Sequence, residues 1–148
     1  MSAEEHVAVS DKINKIVDLL AAEDAVSGLL GIKREVVGLG YSRLSMVVRE
    51  DMANGHGTCH GGMTFSLADA AFGYACNTHN KLTFGAACSI DYVNPAFRGD
   101  VLTAECKEVF LQGRSGVYDV VVKNQDGLVI VLFRGNSRSR NELLVSED

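Results

Sequence analysis

The chain of 148 residues has no tryptophan and a single proline, Pro95, so it carries no Pro-rich linker or recognition tract. It also lacks a long apolar run. The strongest stretch near the C-terminus, Leu128 to Phe133, is far shorter than the roughly 20 residues needed to span a bilayer, so no membrane partner is expected. Positive charge is scarce: fourteen Lys and Arg against nineteen Asp and Glu leave a formal charge of −5, which disfavours nucleic acid as a partner. Cys59, Cys76, Cys88 and Cys106 form no Cys-x-x-Cys pair, and Glu4 and Glu5 stand where a secretory leader would be basic and then apolar. The expectation is a cytoplasmic protein whose cysteines are reduced and packed in the core. No Gly-x-Ser-x-Gly nucleophile elbow occurs. What remains is 47% apolar and 22% charged residues, a globular balance, in a length that suits one domain spanning residues 1–148.

Periodicity then orders the chain. Ser2 and Glu5 have the spacing of a capping box. Val9, Ile13, Ile16, Val17 and Leu20 follow at helical intervals, with Gly28 and Gly31 as stop signals. This predicts a surface helix with one apolar stripe. Ile32 to Glu50 suits one or two strands, and Met52 to Gly62 packs four glycines and two histidines into eleven residues, a loop. Met63 to Asn77 is Ala-, Leu-, Met- and Phe-rich without proline, which predicts a helix buried nearly all round. Four strands should follow, at Phe84–Val93, Val101–Leu111, Gly116–Asn124 and Leu128–Ser137, separated by turn residues. The order implies an α+β fold in which a long buried helix is wrapped by a curved antiparallel sheet, with an N-terminal surface helix. Asn141 to Asp148 are polar and expected to fray.

Asp69 is the only charge between Met63 and Asn77. A carboxylate on a buried helix is costly without a partner, and no Lys or Arg lies within one turn. One reading is an Asp at a solvated edge or bonded to backbone. The other is a catalytic carboxylate tuned by partial burial. Gly61 and Gly62 stand where the helix should begin. N–H groups there lack intrahelical partners and carry the positive end of the helix dipole, so a carbonyl oxygen can be polarised by backbone alone. Eight residues at 1.5 Å each put Gly61 and Asp69 about 12 Å apart along the axis. That is too far to serve one small carbonyl, so a shared site requires a second copy of the chain and a two-fold interface. Two further readings compete. His56 and His60 could hold a metal, but the stretch is too Gly-rich for the helix that their i, i+4 spacing needs. Cys59 could be a nucleophile beside His60, although adjacent side chains pair poorly. His6 and His79 are expected to be exposed and idle.

The run Asn54-Gly-His-Gly-Thr-Cys-His60-Gly61-Gly62, then Phe65-x-Leu67-Ala68-Asp69-x-Ala71-Phe72, resembles the hotdog-fold acyl-CoA thioesterases, most of all their phenylacetate-degradation branch. The resemblance continues through Ala87 to Tyr92, Pro95 to Asp100, Gly116 to Asp119 and Leu132 to Gly135, about the last two thirds of the chain. It implies that Asp69 is nucleophile or general base, that the Gly61 N–H polarises the thioester carbonyl, that Asn54 helps hold the thioester or the water, and that His60 orients the loop. It also implies a homodimer that forms the site, paired into a homotetramer, with no metal or organic cofactor. Arg114 and Ser115 would bind the nucleotide phosphates of coenzyme A; Arg134, Arg138 and Arg140 cluster late in the chain, and ordinary solvated surface charge is the other reading of each arginine. Gly62 and Phe65 would touch substrate, and Met63, Phe72, Tyr74, Tyr92 and Phe97 are further candidates for the acyl pocket. The expected reaction is hydrolysis of an aryl-acetyl-CoA thioester to free acid and coenzyme A. A non-catalytic acyl-CoA binding or sensing module on the same fold is the alternative, opposed by the intact set of Asn54, Gly61 and Asp69. Hotdog hydratases rank lower because they use a different His and acid arrangement. A structural homo-oligomer, with Asp69 capping a neighbour, is a third reading.

Overall fold

The N-terminal stripe becomes α1, Ala3–Ala22. The computed structural model describes residues 2–147, and of residues 3–9 the backbone only. The Ser2–Glu5 cap spacing, His6 and Val9 rest on side chains outside that description, and Asp148 lies outside it altogether. Further along α1 the stripe faces inward: Ile13 and Ile16 are buried, and Val17 and Leu20 lean on the core. Gly28 does not stop a helix. It lies within α2, Ala25–Leu30, a second helix that Gly31 closes with a φ of 67°. Asp24 caps α2, its Oδ1 accepting the Ser27 N–H at 3.1 Å. Six residues are too few to display a 3.6 period, so periodicity does not reveal α2.

Strands β1, Lys33–Gly38, and β2, Tyr41–Val47, form a hairpin. A 3₁₀ turn at Glu50–Met52 and the glycine-rich loop lead into α3, Gly61–Asn77. Strands β3, Lys81–Tyr92, β4, Val101–Gln112, β5, Ser115–Lys123, and β6, Val129–Leu143, complete one antiparallel sheet in the order β1-β2-β4-β5-β6-β3. β6 passes the expected end at Ser137. Its inward positions there are Ser137 and Ser139, so the strand continues while its apolar alternation stops. The C-terminal residues do not fray as expected. The Asn80 amide takes the Val145 N–H and donates to the Val145 carbonyl, both at 2.9 Å, and Glu147 pairs with Lys12 of α1.

Helix α3 lies against this sheet with Leu67, Ala68, Ala71, Phe72 and Ala75 almost wholly buried. It is not buried all round. Ser66, Asp69, Ala70 and Gly73 form an open stripe, because one sheet covers only one face of a helix. Small residues on that stripe hide the difference in composition. The Phe72 ring stands edge-on to Tyr118 at 5.6 Å and over two strand glycines, Gly85 of β3 and Gly135 of β6. Cys59, Cys76 and Cys106 are buried as expected, but Cys88 is exposed. It sits on β3, one of the sheet's two edge strands, which is open to solvent from Phe84 to Ser89.

Candidate active site at the start and middle of helix α3

The loop before α3 is tied to itself. The Asn54 Oδ1 accepts the N–H groups of His56 at 2.9 Å and Thr58 at 3.2 Å, while its Nδ2 donates to the Thr58 Oγ1 at 2.8 Å. One Nδ2 hydrogen of the Asn54 amide has no acceptor among the described residues. Gly57 turns the chain with a φ of 82°, which favours glycine. A bridge between Ala53 and Cys59 closes the loop, and the His60 N–H reaches the Met52 carbonyl at 2.7 Å. His60 is extended and becomes the N-cap of α3, its Nδ1 accepting the Gly62 N–H at 3.0 Å. The Gly62 donor is therefore taken. The Gly61 N–H has no acceptor among the described residues, as expected of a first-turn donor. It borders a cavity of about 310 Å³ walled by Thr58, Cys59, Tyr92 and Pro95. A Cβ at Gly61 would come within 3.1 Å of the Tyr92 ring, so glycine keeps this approach open. Burial pushes the Cys59 thiol above its usual pKa, which disfavours the thiolate a nucleophile needs.

Asp69 opens into a different space. A groove of about 500 Å³ runs along the uncovered stripe of α3, roofed by α1 and α2 through Leu20, Asp24 and Val26. Phe65 forms part of its wall and stands edge-on to Phe133 at 5.7 Å. Asp69 reaches solvent, yet the surrounding wall desolvates its carboxyl and raises its pKa above 3.8. Among the described residues no cation offsets this. Asp24 faces the same groove, its Oδ2 accepting the Tyr74 hydroxyl at 3.3 Å. Sequence reading missed Asp24, and its signal was the Asp-Ala-Val-Ser cap of a helix too short to detect. The groove and the Gly61 cavity share no lining residue.

Arg114 and Ser115 lie elsewhere. They belong to the β4–β5 turn, where Ser115 pairs with Arg138, which is itself opposite Phe84 of β3. Tyr92, beside Gly61, lies at the other end of β3, about 27 Å away at 3.4 Å per residue. The Arg114 Nε donates to the Ser139 carbonyl at 2.9 Å. Arg134 forms a forked pair with Asp119 at 2.6 and 2.8 Å, and Arg140 stacks 5.3 Å over Phe84. His79 is not idle, its Nε2 lying 2.6 Å from Glu108 Oε1. Of the aromatic candidates, Phe72 and Tyr74 are core residues, while Tyr92 and Phe97 are exposed near the Gly61 loop and Met63 is half-buried. Among the described residues, no three His, Cys, Asp or Glu side chains gather as metal ligands.

A helix laid on a six-stranded antiparallel sheet, with a glycine-rich loop feeding its N-terminus, is the hotdog arrangement. The sequence model of the family described as Thioesterase superfamily matches residues 56–131. The chain belongs to that superfamily and is an enzyme of the thioesterase class. It is 43% identical over 114 residues to acyl-coenzyme A thioesterase PaaI of Escherichia coli strain K12, covering 77% of this chain and 81% of that one. The solved structure of the E. coli PaaI protein from the phenylacetic acid degradation operon superposes with a TM-score of 0.89 at 38% identity, over 91% of this chain and 98% of that one. A mutant of phenylacetic acid degradation protein PaaI from Thermus thermophilus gives 0.73 at 34%, over 78% and 98%. No helix among the described residues is long and apolar enough to cross a membrane.

Proposed function

We propose that this protein is an acyl-CoA thioesterase acting on aryl-acetyl-CoA thioesters, phenylacetyl-CoA or its ring-hydroxylated form, in phenylacetate degradation. The observation that carries the chemistry is the division of α3. A Gly61 N–H and an Asp69 carboxylate, each without a partner among the described residues, stand eight residues apart on one helix, in separate cavities. The thioester oxygen accepts from the Gly61 N–H, whose position at the helix terminus favours developing negative charge. Asp69 of a second copy attacks the carbonyl directly or draws a proton from the attacking water. The C–S bond breaks, coenzyme A leaves as the thiol, and water supplies the oxygen and hydrogen of the free acid. His60 holds the loop to the helix start, and Asn54 keeps one N–H for thioester or water. Phe65 and Gly62 border the acyl group.

The aryl preference is supported by the likeness to the PaaI proteins of phenylacetic acid degradation. The two-chain site is supported by the open outer edge of β3. A second β3 laid antiparallel along it would bring the partner's Arg114 and Ser115 end level with Gly61, where they could meet the coenzyme A phosphates. Such dimers would pair into a homotetramer. A cytoplasmic setting suits a coenzyme A substrate and four cysteines free of disulfides. The test is free-thiol release from a panel of acyl-CoAs by the wild type and Asp69→Asn. Fast release with phenylacetyl-type substrates, lost in the variant, is the expected result. Release from fatty acyl-CoAs alone would discard the aryl preference. No release from a folded, coenzyme A-binding protein would leave a binding module.

A further inference from the structure

Beyond the C-terminal end of α3 lies a third cavity of about 260 Å³, several times the roughly 30 Å³ that one water occupies in the liquid. Cys76 and Tyr118 line it from the core side, and Lys81, Arg114, Ser137 and Ser139 bring polar groups to it. Ser137 is 4% exposed and Ser139 7%, yet neither hydroxyl makes a hydrogen bond among the described residues. Neither hydroxyl is sealed from solvent, so two adjacent inward positions of one strand present free donors to the cavity. Gly116, opposite Ser137 on β5, leaves room for that hydroxyl, because a Cβ there would come within 2.6 Å of the Ser137 Oγ.

The charge at this cavity has one sign. Lys81 and Arg114 have no ion pair among the described residues, and no carboxylate lines the space. The nearby acid, Glu108, is engaged by two residues that line the cavity, its Oε1 accepting the Tyr118 hydroxyl at 2.8 Å and lying 2.6 Å from His79 Nε2. The Arg114 Nε is fixed on the Ser139 carbonyl, which orients the guanidinium and leaves its two terminal nitrogens for a ligand. Two hydroxyl donors, a guanidinium and an ammonium around one space match the several acceptor oxygens of a tetrahedral oxyanion.

The geometry points to a phosphate-binding site formed by Ser137, Ser139, Arg114 and Lys81, taking inorganic phosphate or a phosphomonoester. This site rests on its own side chains and holds whether or not the protein is a thioesterase. The probe is inorganic phosphate, titrated calorimetrically into the full-length protein at constant ionic strength. The wild type should bind saturably, one phosphate per chain. Ser137→Ala combined with Ser139→Ala, and separately Arg114→Met, should each weaken binding roughly tenfold or more, the scale of lost hydrogen bonds to a charged group. The serine pair is the safer variant. Removing hydroxyls that have no partner orphans nothing, so its phosphate-free melting temperature should match the wild type's. Phosphate should raise the melting temperature of the wild type and leave that of the serine variant unmoved. Displacement of phosphate by coenzyme A would trace the ligand to the substrate's own nucleotide. No displacement would make it a separate phosphate, and either result supports the site. Absence of saturable binding, or equal affinity in wild type and both variants, would overturn it.

Discussion

Asp69 pays for its position with a raised pKa, and that has a sign that can be measured. Its folded carboxyl holds a proton more tightly than the unfolded value of 3.8 allows, because the groove wall desolvates the charge. The native state then binds more protons than the unfolded state between 3.8 and the raised value, so this group's contribution to stability falls as pH rises through that window. Asp69→Asn removes the cost of charging. Its melting temperature at pH 7 should equal or exceed the wild type's while turnover is lost, and the difference should vanish below pH 3.8. A lower melting temperature at pH 7 would mean that Asp69 holds the fold instead. Gly135 offers a second test. A Cβ there would lie 2.7 Å from the Phe72 ring, so Gly135→Ala should cost about 1–3 kcal/mol in urea unfolding, and trimming Phe72 to Leu in the same chain should make the losses non-additive. At this scale the sequence was informative where a residue broke its local pattern. Asp69 is a lone charge in an apolar helix and could be picked out. Ser137 and Ser139 could not, because serines late in a strand pattern look like its end.

The elements that position the candidate site depend on one cap. His60 occupies a place usually held by Ser, Thr, Asp or Asn, and it satisfies the Gly62 N–H with a ring nitrogen. Replacing it with Ala should lower stability by about 1 kcal/mol, whereas His60→Asn, which can accept the same bond, should recover most of that loss. Thermal melts would report the cap. A loss of kcat in the Asn variant with stability restored would separate a catalytic role from a capping one. Elements were legible in proportion to their length. The long helix α3 and the strands that alternate cleanly announced themselves. The six-residue α2 did not, and with it the roof of the Asp69 groove went unseen.

At the scale of the whole molecule, the eight-residue separation of Gly61 and Asp69 was already readable, because helix rise is fixed. Where a second chain could pair was not, since a free strand edge is a property of sheet order and β3 becomes an edge strand only after the others are placed. The proposed shared site predicts complementation. Inactive Asp69→Asn and inactive Gly61→Ala chains, mixed and allowed to exchange subunits, should regain up to about a quarter of wild-type thiol release: half the dimers are hybrids, and each has one intact site. Mixtures as dead as their parents would place both groups' work within single chains.

The open edge of β3 has a consequence for the life of each newly made chain. From Thr83 to Ile90 it has neither a charge nor a proline, the two features by which sheet edges commonly deter unwanted pairing. On the proposed two-chain assembly, a chain freshly released from the ribosome presents a sticky template until another copy covers it. Synthesis rate and dilution would then govern solubility as well as activity, and a lone chain at low concentration would face a contest between correct assembly and aggregation.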